Sequence, residues 1–204
     1  MPRRGKIVNL IDLGSGAGFH RVANIATREH VGRNRRVLAI DLVAPSKVRP
    51  KGVGYVRGDA IKRLRSMEEQ GIHTNVINED SFLAIHSMGT MSEIANATPK
   101  AKCDAVIKRP IDPELLEKIK NVLVKNGRMY SSTAKWHCEA LAEKLKESGF
   151  EVRFRPFTEK DLKNAPPELK QFHGMWQEGK FHNFFGKEGW EPHRLVAIKR
   201  TPKA

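Results

Sequence analysis

Short apolar runs alternate along this chain with stretches whose apolar residues recur every three or four positions. Val8–Leu13, Arg36–Leu42 and Val53–Val56 are runs of the first kind. So are Asn75–Asn78, Asp104–Ile107, Arg128–Ser132, Phe150–Phe154 and Arg194–Lys199. Runs of this length, apolar with little alternation, predict strands buried on both faces. Between them the period changes. Val22, Ala23, Ile25 and Ala26 predict a helix over 19–30, and Ile61, Leu64 and Met67 predict another. A shorter helix is expected over 88–97, before Pro99. Asp112 and Pro113 open a helix whose buried face is Leu115, Leu116, Ile119, Val122 and Leu123, with Gly127 as its end. Leu141, Ala142 and Leu145 predict a helix over 136–148, stopped by Gly149. Strands alternating with helices predict a doubly wound α/β sheet of about seven strands, built as a single domain over 1–204.

The first strand ends in Asp12-Leu13-Gly14-Ser15-Gly16-Ala17-Gly18-Phe19. Glycines two apart after a strand predict a tight turn that brings backbone close to a ligand. The G-x-G-x-G spacing differs from the G-x-G-x-x-G of dinucleotide folds, which argues against NAD. Asp41 ends the second strand and Asp59 follows the third, in Gly58-Asp59-Ala60. A carboxylate at the tip of the second strand can accept hydrogen bonds from ribose hydroxyls. Each acid taken singly also suits a helix cap or a turn.

Asp-x-Gly-x-Gly-x-Gly followed by these two acids resembles motif I and its continuation in the class I S-adenosylmethionine-dependent methyltransferases. A second passage carries the same likeness: Asp104-Ala105-Val106, then Leu115-Leu116, Ile119, Val122-Leu123 and Gly127-Arg128. The resemblance runs from about residue 7 to about residue 155. It implies a mostly parallel seven-stranded sheet with an antiparallel last strand. It also implies S-adenosylmethionine as cofactor, held by Asp12, Gly14, Ser15, Gly16, Gly18, Phe19, Asp41, Leu42, Asp59 and Ala60, with Asp59 meeting the adenine amino group. Two segments, 75–78 and 104–107, compete for strand four. The second is preferred, because the helix and strand after it match the family's pattern.

Composition adds a partner. Lys+Arg 37 against Asp+Glu 23 leaves a formal net charge of +14, which favours a polyanion. The excess is concentrated early, with 12 Lys+Arg against 4 Asp+Glu in residues 1–60. Cys103 and Cys138 lie far apart without C-x-x-C spacing, so no structural metal is expected. No run spans a bilayer and no signal peptide is evident, so a cytoplasmic protein without a membrane partner is expected.

The acceptor side is less marked. Asn78, Glu79, Asp80 and Ser81 form the richest polar group, with Asp80 as the best general base and Asn78 beside it. Asp80 suits a helix N-cap equally well. Lys108 and Arg109 end the 104–107 run, where the family places substrate-binding residues. They lie in neither Asn-Pro-Pro-Tyr nor Asp-Pro-Pro-Tyr. Lys135 and Asp80 fit a Lys-Asp-Lys-Glu set without their remaining partners.

Six residues precede the first strand, where many family members carry a covering element. The surplus length falls instead in a connection over 156–193, in which Trp176 and His182 are candidate substrate-binding residues. Its interleaved aromatic and basic residues suit base stacking beside phosphate contacts, or simple anchoring of the connection. The expectation is a methyltransferase acting on RNA or an RNA-associated protein, with RNA or ribonucleoprotein as partner. The alternatives are a catalytically silent RNA- or ribosome-associated binding protein and a small-molecule methyltransferase.

Overall fold

Parallel pairing of the apolar runs builds the sheet. The computed structural model describes residues 7–14, 37–42, 53–79, 112–164, 170, 173–174, 176–179, 188–189 and 191–200. The strands are β1 (Ile7–Leu13), β2 (Val37–Asp41), β3 (Val53–Arg57), β4 (His73–Asn78), β5 (Leu123–Ala134), β6 (Phe150–Pro156) and β7 (Pro192–Lys199). The helices are α1 (Ala60–Glu69), α2 (Pro113–Val122), α3 (Lys135–Glu147) and α4 (Glu159–Asn164). The strand order is β3-β2-β1-β4-β5-β7-β6, with β7 antiparallel to the others. This is the expected doubly wound sheet with an antiparallel last strand. The expected helices over 19–30 and 88–97 lie outside the described residues.

The identity of strand four is a correction. Segment 73–78, not 104–107, takes that place. β4 pairs with β1 from Ile7↔His73 to Asp12↔Asn78, and with β5 through Val76↔Arg128 to Asn78↔Tyr130. Both of its edges are therefore occupied by β1 and β5. Residues 104–107 lie outside the described residues. Thr74, Ile77 and Asn78 are buried, which satisfies the two-sided burial of a central parallel strand.

A second correction concerns the end of α2, which stops at Val122 rather than at Gly127. The Lys199 ammonium donates to Lys120 O and Leu123 O, both at 2.6 Å, and so takes up carbonyls at the helix end. Burial, then the charge of Lys120, pushes the Lys199 pKa down. Between Leu123 and Arg128 the pairing of β5 with β4 is broken, and Asn126 sits at φ 60°.

The chain divides into two compact units, residues 1–79 with 114–130 and 198–204, and residues 80–113 with 131–197. In the first, Leu10, Val37 and Ala39 form a buried cluster against Val53, Tyr55 and Val76. Leu64 and Met67 of α1 and Leu115, Leu116 and Ile119 of α2 are buried as the helical spacing predicts. Each such side chain contributes about 1.5–3 kcal/mol when fully buried. Glu68 accepts from Lys118 Nζ and Asn121 Nδ2, both at 2.8 Å, and Arg65 pairs with Glu114, so polar contacts tie α1 to α2.

In the second unit, α3 packs on β6 and buries His137, Cys138, Leu141, Ala142 and Leu145. Thr158 and Asp161 form a capping box at the start of α4. Asp161 Oδ2 accepts from Thr158 N at 2.9 Å and from its hydroxyl at 2.7 Å, while Asp161 N donates back to Thr158 Oγ1 at 3.3 Å.

Candidate active site

Four parallel strands of the first unit end together, and each delivers a polar group at its C-terminal tip. The register aligns Asp12 with Ala39 of β2 and with Asn78 of β4, and Asp41 with Arg57 of β3. Asp12 is fully buried, and Asn78 Nδ2 donates to its Oδ1 at 2.8 Å. A buried carboxylate needs such a donor, because desolvation without one is costly. Asn78 therefore orients Asp12. Glu79, the next residue, is also fully buried, and its N–H donates to Tyr130 O at 3.0 Å.

Backbone bonds set the turns. Gly14 N donates to Ile40 O at 2.9 Å and Gly58 N to Asp41 O at 2.9 Å, tying the turns after β1 and β3 to the end of β2. Gly14 has φ 69°, a left-handed conformation suited to glycine, so the glycine-rich turn starts as the sequence predicts. Gly58 has φ 147°, and a Cβ there would lie 2.7 Å from Arg63 Nε.

At the tip of β2, Asp41 is half-buried, and Leu42 beyond it is 66% exposed. An apolar side chain in water beside a carboxylate offers a flat base one surface and ribose hydroxyls another. Asp59 is the N-cap of α1, its Oδ1 accepting from Lys62 N at 2.9 Å, and Ala60 is the buried first residue of that helix. The structure thus assigns Asp59 the capping role that its sequence position also allowed.

Asp12, Gly14, Asp41, Leu42, Asp59, Ala60 and Asn78 are the sequence-predicted residues that these strand ends carry. Ser15, Gly16, Gly18, Phe19, Asp80, Lys108, Arg109 and His182 lie outside the described residues. Glu79, ranked behind Asp80 from the sequence, is the buried carboxyl that the structure adds at the end of β4. Its position directly after an apolar run was the available signal.

The candidate substrate side belongs to the second unit. The Trp176 ring lies 5.3 Å from that of His173, tilted by 48°. Phe157 N donates to Pro192 O at 3.0 Å, so the two ends of the connection meet. Lys135 N donates to Glu191 O at 2.9 Å, and the Lys135 ammonium pairs with Glu188. That carboxylate holds Lys135 above its ordinary pKa, which makes it an anchor rather than a poised base.

Burial pushes the His137 imidazole down to about 4, and Ser131 Oγ and His137 Nε2 have no hydrogen-bond partner among the described residues. No group of three His, Cys, Asp or Glu among the described residues could hold a metal ion. No helix among them is long and apolar enough to cross a membrane.

No family model matches the chain, and no curated protein matches it. Solved structures do. Haemonchus contortus phosphoethanolamine N-methyltransferase 2, in complex with phosphomonomethylethanolamine and S-adenosylhomocysteine, is 12% identical over 98% of this chain, with a TM-score of 0.52. An O-methyltransferase from Bacillus cereus is 8% identical over 94%, with a TM-score of 0.50. The cyclase SpnF is 13% identical over 97%, also with a TM-score of 0.50. The chain spans 51% of the first of these proteins, 74% of the second and 76% of the third. The chain has the class I methyltransferase fold. A cyclase shares that fold, so the reaction has to be argued from the site.

Proposed function

We propose that this protein is an S-adenosylmethionine-dependent methyltransferase acting on RNA or an RNA-associated protein. The observation that carries the reading is the meeting of Gly14, Asp41, Leu42 and Asp59 at the tips of three adjacent parallel strands. The residues fit the nucleoside part of the cofactor. The left-handed Gly14 lets the backbone approach closely, Asp41 accepts ribose hydroxyls, and exposed Leu42 covers one face of the base. Asn78 holds Asp12 at the end of the strand that leads into Gly14. When bound, S-adenosylmethionine supplies a methyl group activated on a sulfonium.

The chain's own contribution is then mainly positioning, since the acceptor must lie in line with that methyl. Asp80, directly after the strand that carries Asn78, is the base for a hydroxyl or protonated nitrogen acceptor. The net charge of +14 favours an anionic acceptor, and the fold relatives named above do not fix one.

Calorimetry tests the cofactor. The wild type should bind S-adenosylmethionine and S-adenosylhomocysteine, and Asp41→Ala should weaken both at least about tenfold through loss of a charge-assisted pair of hydrogen bonds. No heat with either, together with binding of NAD, would sink the reading. Transfer of labelled methyl into total RNA, protein and small-molecule fractions identifies the acceptor. Label in the small-molecule fraction alone would remove RNA. Cofactor binding without transfer to any fraction would make the protein a silent binder.

A further inference from the structure

We propose that Arg57, Lys62 and Arg63, at the corner formed by the end of β3 and the first turn of α1, are a contact surface for the RNA sugar-phosphate backbone. The inference rests on the reading of RNA as substrate or partner and gives it a location.

Three observations carry it. All three side chains are exposed, and none has an ion-pair partner among the described residues. The pattern differs two residues further on, where Arg65 pairs with Glu114, and at Lys118, which pairs with Glu68. Arg65 of α1 and Lys118 of α2 are thus neutralised locally, while this corner keeps its charge. Even with Asp41 and Asp59 counted against the three cations, the corner remains positive. Asp59 already spends one oxygen on Lys62 N.

The guanidinium groups are also held in place, and by carbonyls rather than carboxylates. Arg57 Nε donates to Leu42 O at 3.1 Å, and Arg63 Nη2 donates to Arg57 O at 2.7 Å. Arg63 lies across Gly58, at a spot that any side chain on residue 58 would occupy. A carbonyl fixes a guanidinium without cancelling its charge, and the remaining N–H groups of a guanidinium form a fork that suits phosphate oxygens.

Beyond the Asp59 cap, the charges on α1 also run against its own dipole. Its first turn has no acid and carries Lys62 and Arg63, whereas Glu68 and Glu69 stand in its last turn, which has no base. Cations at a helix N-terminus and anions at its C-terminus are both unfavourable. An arrangement that lowers the stability of the isolated helix is accounted for when an anion completes it. The three groups occupy exposed positions at the end of one strand and the first turn of the next helix. A chain of phosphates suits that layout better than one small anion, and the net charge of +14 points the same way.

The test uses the full chain and a labelled fragment pool of total RNA, with binding measured across a salt series. The variant is Arg57→Gln/Lys62→Gln/Arg63→Gln. Three phosphate contacts contribute about 2–3 to the slope of log affinity against log salt, so the variant's slope should fall by about that much. Its melting temperature should not fall, since the substitutions relieve the helix dipole. If it does fall, Lys62→Gln alone, which leaves Arg63 over Gly58, should still lower the slope by about 1. Wild-type RNA binding with an unchanged slope in both variants overturns this surface and leaves RNA as partner. A wild type that ignores RNA but binds polyglutamate overturns both.

Discussion

The side-chain amide of Asn78 donates to Asp12 Oδ1 at 2.8 Å, across 66 residues of sequence and in a fully buried setting on the Asp12 side. The bond joins the ends of two adjacent central strands. Asn78→Asp would set a second carboxyl against the first. Two carboxylates at that distance cannot both ionise easily, so the pair should hold a proton in the folded state. Its pKa would then be raised above the unfolded value. Stability of the variant should be highest at acid pH and be lost as pH rises through the raised value, where the wild type lacks this component. Urea melts of both proteins between pH 4 and pH 8 check it; parallel pH curves would rule it out.

His137 makes the opposite prediction for the wild type. It is 2% exposed, and burial lowers its pKa from 6.5 to about 4. The unfolded chain therefore binds a proton between those values that the folded chain does not. Stability is complete above about pH 6.5 and declines as pH falls toward 4, by about 3 kcal/mol from this group. His137→Leu should flatten that part of the curve. A decline of unchanged size in the variant would assign it to other groups.

Asp161 closes the capping box of α4 and also meets two guanidiniums, Arg155 Nη1 at 2.6 Å and Arg194 Nη1 at 3.4 Å. Burial alone would raise its pKa, but Arg155 and Thr158 outweigh burial and hold it well below the usual carboxylate range. Its contribution is present above the unfolded value and is lost as pH falls through the lower, folded one. Asp161→Ala removes the cap and the carboxylate that both arginines meet. A loss of about 1–3 kcal/mol is expected in a chemical melt, against a much smaller loss for Glu159→Ala.

The connection between β6 and β7 should be needed for binding the acceptor. Its ends meet at the Phe157 N to Pro192 O bond, so a short turn can replace residues 158–191 without separating the strands they join. The shortened protein should lose only the helical signal of α4 from its circular dichroism spectrum and keep its affinity for S-adenosylmethionine, and should lose methyl transfer or substrate binding. Normal turnover would reduce the segment to packing and move the acceptor site to Asn78–Ser81.

Local pattern was enough for much of this architecture. Apolar runs and three-to-four spacing located the seven strands and the buried faces of α1, α2 and α3, because burial depends on residue type and period alone. The acids and glycines at the strand ends were legible for the same reason: a turn must follow a buried strand, and Gly14 supplies the φ it needs. Which apolar run lies between β1 and β5 was not legible. His73–Asn78 takes that place through hydrogen bonds to both, and pairing partners lie far away in sequence.

The same holds for the end of α2, settled by Lys199 arriving from the last strand, and for Asn78, whose amide donates to Asp12. That Asp59 caps α1 was one of the roles its position allowed, and only the bond from Lys62 N showed it. The arginine corner was equally silent. Arg57, Lys62 and Arg63 count toward net charge like any other cations, and only the fold decides which of them go without a carboxylate. Composition and period are properties of the residues one by one, whereas a partner is a property of two places in the chain, and only folding brings those together.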